Sequence, residues 1–231
     1  MEFATWEPVY EALLEAFGYP RSGDERSRDR LAELLGDDPL YDPADLDVAE
    51  QTVAIAGAGP SLEAEVGSAA DADRVLAAST AADRLAAEGV AVDAMVTDLD
   101  KNPGTGRELT RAGVPVFVHA HGDNVPAVES VVPSYESAFV VPTTQAAPTD
   151  TVANFGGFTD GDRAAFLADH LGADRLLFVG WDFEDPSVSA PKREKLRWAE
   201  RLLHWLEQRR GERFGILDGR RDDITPVPAQ P

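Results

Sequence analysis

Two aspartates one residue apart, Asp98 and Asp100, follow an apolar run from Val90 to Met95. The run reads as a buried strand, and residues i and i+2 of an extended chain point to the same side. The two carboxylates are therefore expected to address one point at the strand's end, before Lys101, Asn102 and Gly104 turn the chain away. Such a pair suits Mg²⁺, which takes one or two carboxylates and leaves its other positions to water and phosphates. The plainer alternative is two solvated aspartates capping the next helix.

Other candidates fall where further strands should end. The first strand runs into Gly57-Ala58-Gly59-Pro60-Ser61-Leu62. Glycines there allow close backbone approach, and proline starts a helix whose N–H groups can meet a phosphate. Leu62 stands where the dinucleotide pattern wants its third glycine, so a nucleotide or phosphate loop is expected rather than NAD. His119-Ala120-His121-Gly122-Asp123-Asn124 follows a fourth strand. Read as zinc ligands, this run lacks further histidines, since His170 and His204 lie on expected helices. It reads better with Asp123 as another carboxylate beside the magnesium and His119 and His121 donating hydrogen bonds to phosphate or substrate.

Asn154-Phe155-Gly156-Gly157-Phe158-Thr159-Asp160 precedes a helix. Thr159 or Asp160 suits an N-cap, and the mix of aromatic rings, amide and carboxylate also suits a flat polar heterocycle. Asp182 closes the last core strand in Gly180-Trp181-Asp182-Phe183. Only three lysines occur, Lys101, Lys192 and Lys195. The last two open the final helix after the loop Glu184 to Ala190, where they read as mobile point charges for phosphate; ordinary surface residues are the alternative.

Positioning these groups requires alternating strands and helices, the mark of a mostly parallel sheet covered on both faces. The expected strands are Thr52–Ala56, Arg74–Ala78, Ala91–Val96, Val114–His119, Ala138–Pro142 and Arg175–Val179. A Rossmann-like α/β catalytic domain over 49–219 follows a helical appendage and linker over 1–48 and precedes a flexible tail over 220–231.

The chain has 231 residues and a net charge of −21, with 42 acids against 21 bases. Nucleic acid and anionic membrane would be repelled by such a surface. Eighteen of the bases are arginine, and an acidic, lysine-poor chain fits a cytoplasm rich in salt. The absence of cysteine excludes disulfides and thiolate chemistry. No apolar run reaches the roughly 20 residues of a spanning helix, and the N-terminus lacks a signal-peptide pattern, so a cytoplasmic protein is expected. Subunit number is open, and a homo-oligomer is compatible with the sequence.

Taken together, GAGPSL (57–62), VDAMVTDLD (92–100), HAHGDN (119–124), NFGGFTDGDRA (154–164), GWDF (180–183) and KxxKL (192–196) resemble the archaeal 6-hydroxymethyl-7,8-dihydropterin pyrophosphokinase family, distantly related to thiamine pyrophosphokinases. The resemblance implies Mg²⁺-dependent transfer of pyrophosphate from ATP to the hydroxymethyl oxygen of a reduced pterin, giving AMP, on the route to folate or methanopterin cofactors. It implies that Asp98, Asp100 and Asp123 hold metal, that Gly57, Gly59, Pro60, Ser61 and Leu62 contact ATP, and that Lys192 and Lys195 offset charge on the departing AMP. Asn154, Thr159, Asp160 and Asp182 would then surround the pterin, although which pocket takes which substrate stays open. The glycine-proline-serine loop is also similar to that of some sialyltransferases. A metal-dependent glycosyltransferase and a non-catalytic nucleotide-binding module are therefore the alternatives.

Overall fold

The structure, a computed structural model, describes residues 1–122 and 124–228. Among them the elements run, in chain order, α1 (Phe3–Phe17), α2 (Arg21–Leu35), β1 (Thr52–Ala56), α3 (Leu62–Ala70), β2 (Arg74–Ala78), α4 (Ala81–Ala87) and β3 (Ala94–Thr97). They continue with α5 (Pro103–Arg111), β4 (Val116–Ala120), α6 (Val125–Val131), β5 (Val140–Thr144), α7 (Asp160–His170), β6 (Arg175–Val179) and α8 (Ala190–Arg210). The expected α/β alternation is what folds. Strands β1, β2 and β6 have the expected bounds, whereas β3, β4 and β5 begin two or three residues late. Ala91 is exposed, and a short 3₁₀ turn over Ser137–Phe139 occupies the expected start of β5.

The chain forms two compact units. Unit 1 is built from Met1–Asp47 and Asp93–Gly156, and unit 2 from Val48–Val92 and Gly157–Val227. In unit 1 the strands run β5-β4-β3, all parallel, with Val116 opposite Val140 and Thr97 opposite Val118. All five residues of β4 and of β5 are buried, so both faces of this sheet are covered, as parallel strands require. In unit 2 the parallel order is β2-β1-β6, with Ile55 between Leu76 and Phe178. Each unit thus holds three strands whose C-terminal ends carry the chemistry-bearing residues.

The segments flanking the expected catalytic domain are packed as far as they are described. Residues 1–47 are a constituent of unit 1, because Trp6, Tyr10, Leu13, Leu31 and Leu35 bury an apolar stripe there and α2 packs on β4 and β5. The segment after Gly219 is also packed as far as it is described. Ile224 and Val227 are buried, and Arg201 on α8 donates to the carbonyl oxygens of Thr225 and Pro226 at 2.8 and 2.9 Å. Arg221 adds a two-nitrogen pairing with Glu207 of α8. No helix among the described residues is long and apolar enough to cross a membrane.

Candidate functional site

In unit 1 the acids sit on a turn, not on an extended strand as expected. β3 ends at Thr97, and Leu99 adopts φ +69°, the left-handed region that L residues rarely occupy. Two local bonds and one buried side chain fix this geometry. Thr97 Oγ1 accepts the Leu99 N–H at 3.0 Å, Asp98 Oδ1 accepts the Asp100 N–H at 3.3 Å, and the Leu99 side chain is buried. Asp98 and Asp100 thus share a turn because the chain curls back, not because of strand alternation.

The β4 end lies against this turn. His121 Nε2 is 3.5 Å from Asp98 Oδ2. His119 is buried and its Nδ1 is 3.0 Å from Thr143 Oγ1. The Thr143 hydroxyl donates its single proton to the Val118 carbonyl at 3.2 Å. Its oxygen is then free to accept from Nδ1–H of His119. Asp123, the expected third metal carboxylate, lies outside the described residues.

Asn124, which the sequence reading passed over, joins the two segments. Its Nδ2 donates to the carbonyl oxygens of Asp98 at 3.0 Å and His119 at 2.7 Å, and its Oδ1 accepts from the His121 N–H at 3.0 Å and from Ser27 Oγ at 2.7 Å. Asp24 on α2 is the second omission. Only 2% exposed, it accepts from the Gly122 N–H at 2.6 Å, Tyr10 Oη at 2.7 Å and Gln145 Nε2 at 2.9 Å. Burial first, then the bond to Asp24, holds the Tyr10 hydroxyl well above its ordinary pKa. Asp24 lies in the polar run Arg21 to Arg30, where nothing local separates a buried acid from exposed ones.

Whether these residues suit a divalent cation follows from their donor chemistry. Asp98 and Asp100 offer hard carboxylate oxygens on one rigid turn, and Mg²⁺ needs only one or two of these. Among the described residues no three acidic or histidine side chains form a closed cage. The pair fits an ion that keeps most of its positions for water and phosphate.

Unit 2 is arranged differently at the end of β1. The Gly59 N–H donates to the Gly180 carbonyl at 2.8 Å, and a Cβ on Gly59 would lie 2.6 Å from that same oxygen and overlap the Asp182 carboxylate. The close approach that glycine permits is thus made to β6's own continuation. Asp182 Oδ2 accepts from the Ser61 N–H at 2.9 Å and Ser61 Oγ at 2.8 Å. The carboxylate stands where a phosphate was expected, at the start of α3, an anion favoured by the helix N-terminus. Leu62 is fully buried and its N–H bonds to the Gly59 carbonyl at 3.2 Å; Pro60 is exposed.

The glycine-rich stretch is also largely self-satisfied. In unit 1, Asn154 donates to the Ala146 carbonyl at 2.7 Å and accepts from the Gly156 N–H at 2.8 Å, so both ends of its amide brace its own loop. In unit 2, Thr159 caps α7 through a capping box with Asp162. Asp162 is fully buried; burial raises its carboxyl pKa above the ordinary value despite bonds from Thr159 and the Phe158 N–H. Asp160 pairs with Arg163 at 2.9 Å. Lys192 is exposed on the first turn of α8, and Lys195 Nζ lies 5.7 Å from the centre of the Phe158 ring.

Comparison with known proteins agrees with this distribution of motifs. Residues 31–187 match the family model described as 6-hydroxymethylpterin diphosphokinase MptE-like. Among similar proteins, the 6-hydroxymethyl-7,8-dihydropterin pyrophosphokinase of Methanothermobacter thermautotrophicus is 37% identical, over 90% of this chain and 96% of its own. Those bearing the same name in Pyrococcus furiosus and Methanocaldococcus jannaschii are 37% and 30% identical, each over 90% of this chain and 95% and 97% of their own. The chain therefore belongs to the MptE-like family of 6-hydroxymethylpterin diphosphokinases.

Proposed function

We propose that this protein transfers pyrophosphate from ATP to 6-hydroxymethyl-7,8-dihydropterin, giving the pterin methyl diphosphate and AMP, in the cytoplasm of a salt-adapted cell. The observation that carries the chemistry is the Asp98–Asp100 turn, held in place from behind by Asn124. Asp98 and Asp100, joined by Asp123, hold Mg²⁺, which when bound neutralises charge on the phosphates. The hydroxymethyl oxygen attacks the β-phosphorus in line, the bond from that phosphorus to the oxygen of AMP breaks, and AMP leaves. Such a transfer needs positioning and charge neutralisation more than a strong base.

In unit 2, the backbone of Gly57 to Leu62 and the Ser61 hydroxyl contact nucleotide phosphate, with Lys192 and Lys195 as mobile cations. Because Asp182 already occupies Ser61, phosphate binding there requires that carboxylate to swing aside. In unit 2, Thr159 and Asp160 contact the pterin; in unit 1, Asn154 braces its own loop.

The test is AMP formation from ATP in molar potassium chloride, the medium that the salt-adapted reading of a chain of charge −21 calls for. AMP should appear only with both Mg²⁺ and the dihydropterin present. ADP as the sole product, or AMP without pterin dependence, would count decisively against the reading.

A further inference from the structure

We infer that Asp24, on the second N-terminal helix, is a positioning residue for the candidate metal site: it fixes the Gly122 backbone after β4, beside Asn124, which in turn fixes the Asp98 turn. The inference rests on the proposal that Asp98 and Asp100 seat a divalent cation. It also gives α2 a role in the reaction that the sequence reading did not find.

The physical case begins with cost. A carboxylate buried to this degree is unfavourable unless its oxygens are fully bonded. Two of its donors, Tyr10 Oη and Gln145 Nε2, would be met equally well by a neutral amide or hydroxyl. The third is different. The Gly122 N–H belongs to the loop at the end of β4, and at 2.6 Å its bond to Asp24 has the short length of a charge-assisted contact. Helix and loop also meet at backbone distance. A Cβ on Gly23 would come within 3.1 Å of Gly122 Cα and 3.3 Å of its carbonyl oxygen, so any side chain beside Asp24 presses on the Gly122 backbone.

One turn along α2, Ser27 donates to Asn124 Oδ1, and Asn124 passes the constraint on to the Asp98 carbonyl. Gly23, Asp24 and Ser27 therefore form one face of α2 whose polar contacts are directed at the candidate metal loops. The same helix is anchored separately by Leu31 and Leu35, which are buried and apolar. Helix docking and loop fixing are thus carried by different residues and can be separated experimentally.

The experiment titrates Mn²⁺ into the full-length, nucleotide-free protein in molar potassium chloride, reading free Mn²⁺ by electron paramagnetic resonance. It then measures the Mg²⁺ concentration for half-maximal AMP formation. Asp24→Ala removes the acceptor for Gly122 N–H, Asp24→Asn keeps its shape, and Gly23→Ala pushes on Gly122 while leaving Asp24 in place. Leu31→Ala weakens the docking of α2 without touching the loop. We expect Asp24→Ala and Gly23→Ala to raise the Mn²⁺ Kd by about 10-fold or more, as loss of a partner behind a metal ligand does. Excess Mg²⁺ should restore their activity, Asp24→Asn should fall between them and wild type, and Leu31→Ala should keep the wild-type Mn²⁺ Kd while lowering Tm. If Asp24→Ala does not fold, Gly23→Ala and Asp24→Asn carry the test. Folded variants that bind Mn²⁺ like wild type overturn the inference alone. A wild-type protein that binds no Mn²⁺ overturns the metal assignment and this inference together.

Discussion

The ends of β3 and β1 look alike in sequence: each is an apolar strand running into a short polar loop and then a helix. They behave as opposites. After β3, the backbone is tied down by Thr97 and Asn124, and the Asp98 carboxylate accepts the Asp100 N–H and faces His121. After β1, the forward donors of the loop are already engaged, because Asp182 accepts from both the Ser61 N–H and its hydroxyl. The first loop carries the two carboxylates proposed above to seat a cation. The second holds an anion of its own and can receive another only by exchange.

Replacing the carboxylates tests the first half of that contrast most strongly. Asp98→Asn with Asp100→Asn should lower kcat/KM for AMP formation by about 10³-fold or more, because charge neutralisation on the phosphates is the main task of such a site. Circular dichroism should be unchanged, since the asparagines can still accept the Asp100 N–H. Activity within a few-fold of wild type would remove these residues from the reaction.

The glycine loop should respond through stability. Gly59→Ala places a methyl group against the Gly180 carbonyl and the Asp182 carboxylate, and is expected to cost about 2–3 kcal/mol, read by denaturant unfolding at constant salt. Asp182→Ala should cost less, about 1 kcal/mol, the usual loss for a helix cap. It should also tighten phosphate binding by freeing the Ser61 donors, measurable by calorimetry with inorganic pyrophosphate. Weaker binding would show that Asp182 contacts ligand instead of competing with it.

The smallest effect concerns acid. Burial alone would raise the Glu207 pKa, but Arg221 and the Phe214 N–H outweigh it and hold the group below its ordinary value of 4.5. Its contribution to stability is therefore present above pH 4.5 and is lost as pH falls through the lower, folded-state pKa. Glu207→Gln should flatten the acid limb of unfolding midpoint against pH while leaving the neutral plateau lower. An unchanged limb would mean that the α8–tail contact does not titrate in this range.

Much of the architecture was legible because it is local. Six apolar runs separated by helix and turn signals give six parallel strands, and three of them have the bounds read from sequence. The acids at strand ends were legible for the same reason. Contacts made across long separations were not. Asp24 meets Gly122 at a separation of 98 residues, and Ser61 meets Asp182 at 121. In a chain with 42 acids, an aspartate buried by distant partners looks like its solvated neighbours. Asn154 misled in the opposite sense, since a polar side chain in a glycine loop suggests a ligand and here satisfies its own backbone.

Leu99 carries a consequence of its own. A left-handed leucine costs roughly 1–2 kcal/mol that glycine would not, yet glycine would leave the turn with no side chain plugged into the interior. The ordering that a floppy acidic loop would have to undergo each time a cation arrived has here been completed when the chain folds. On the proposed metal assignment, a cation would meet a turn already ordered by folding, and that ordering would not be charged against its binding.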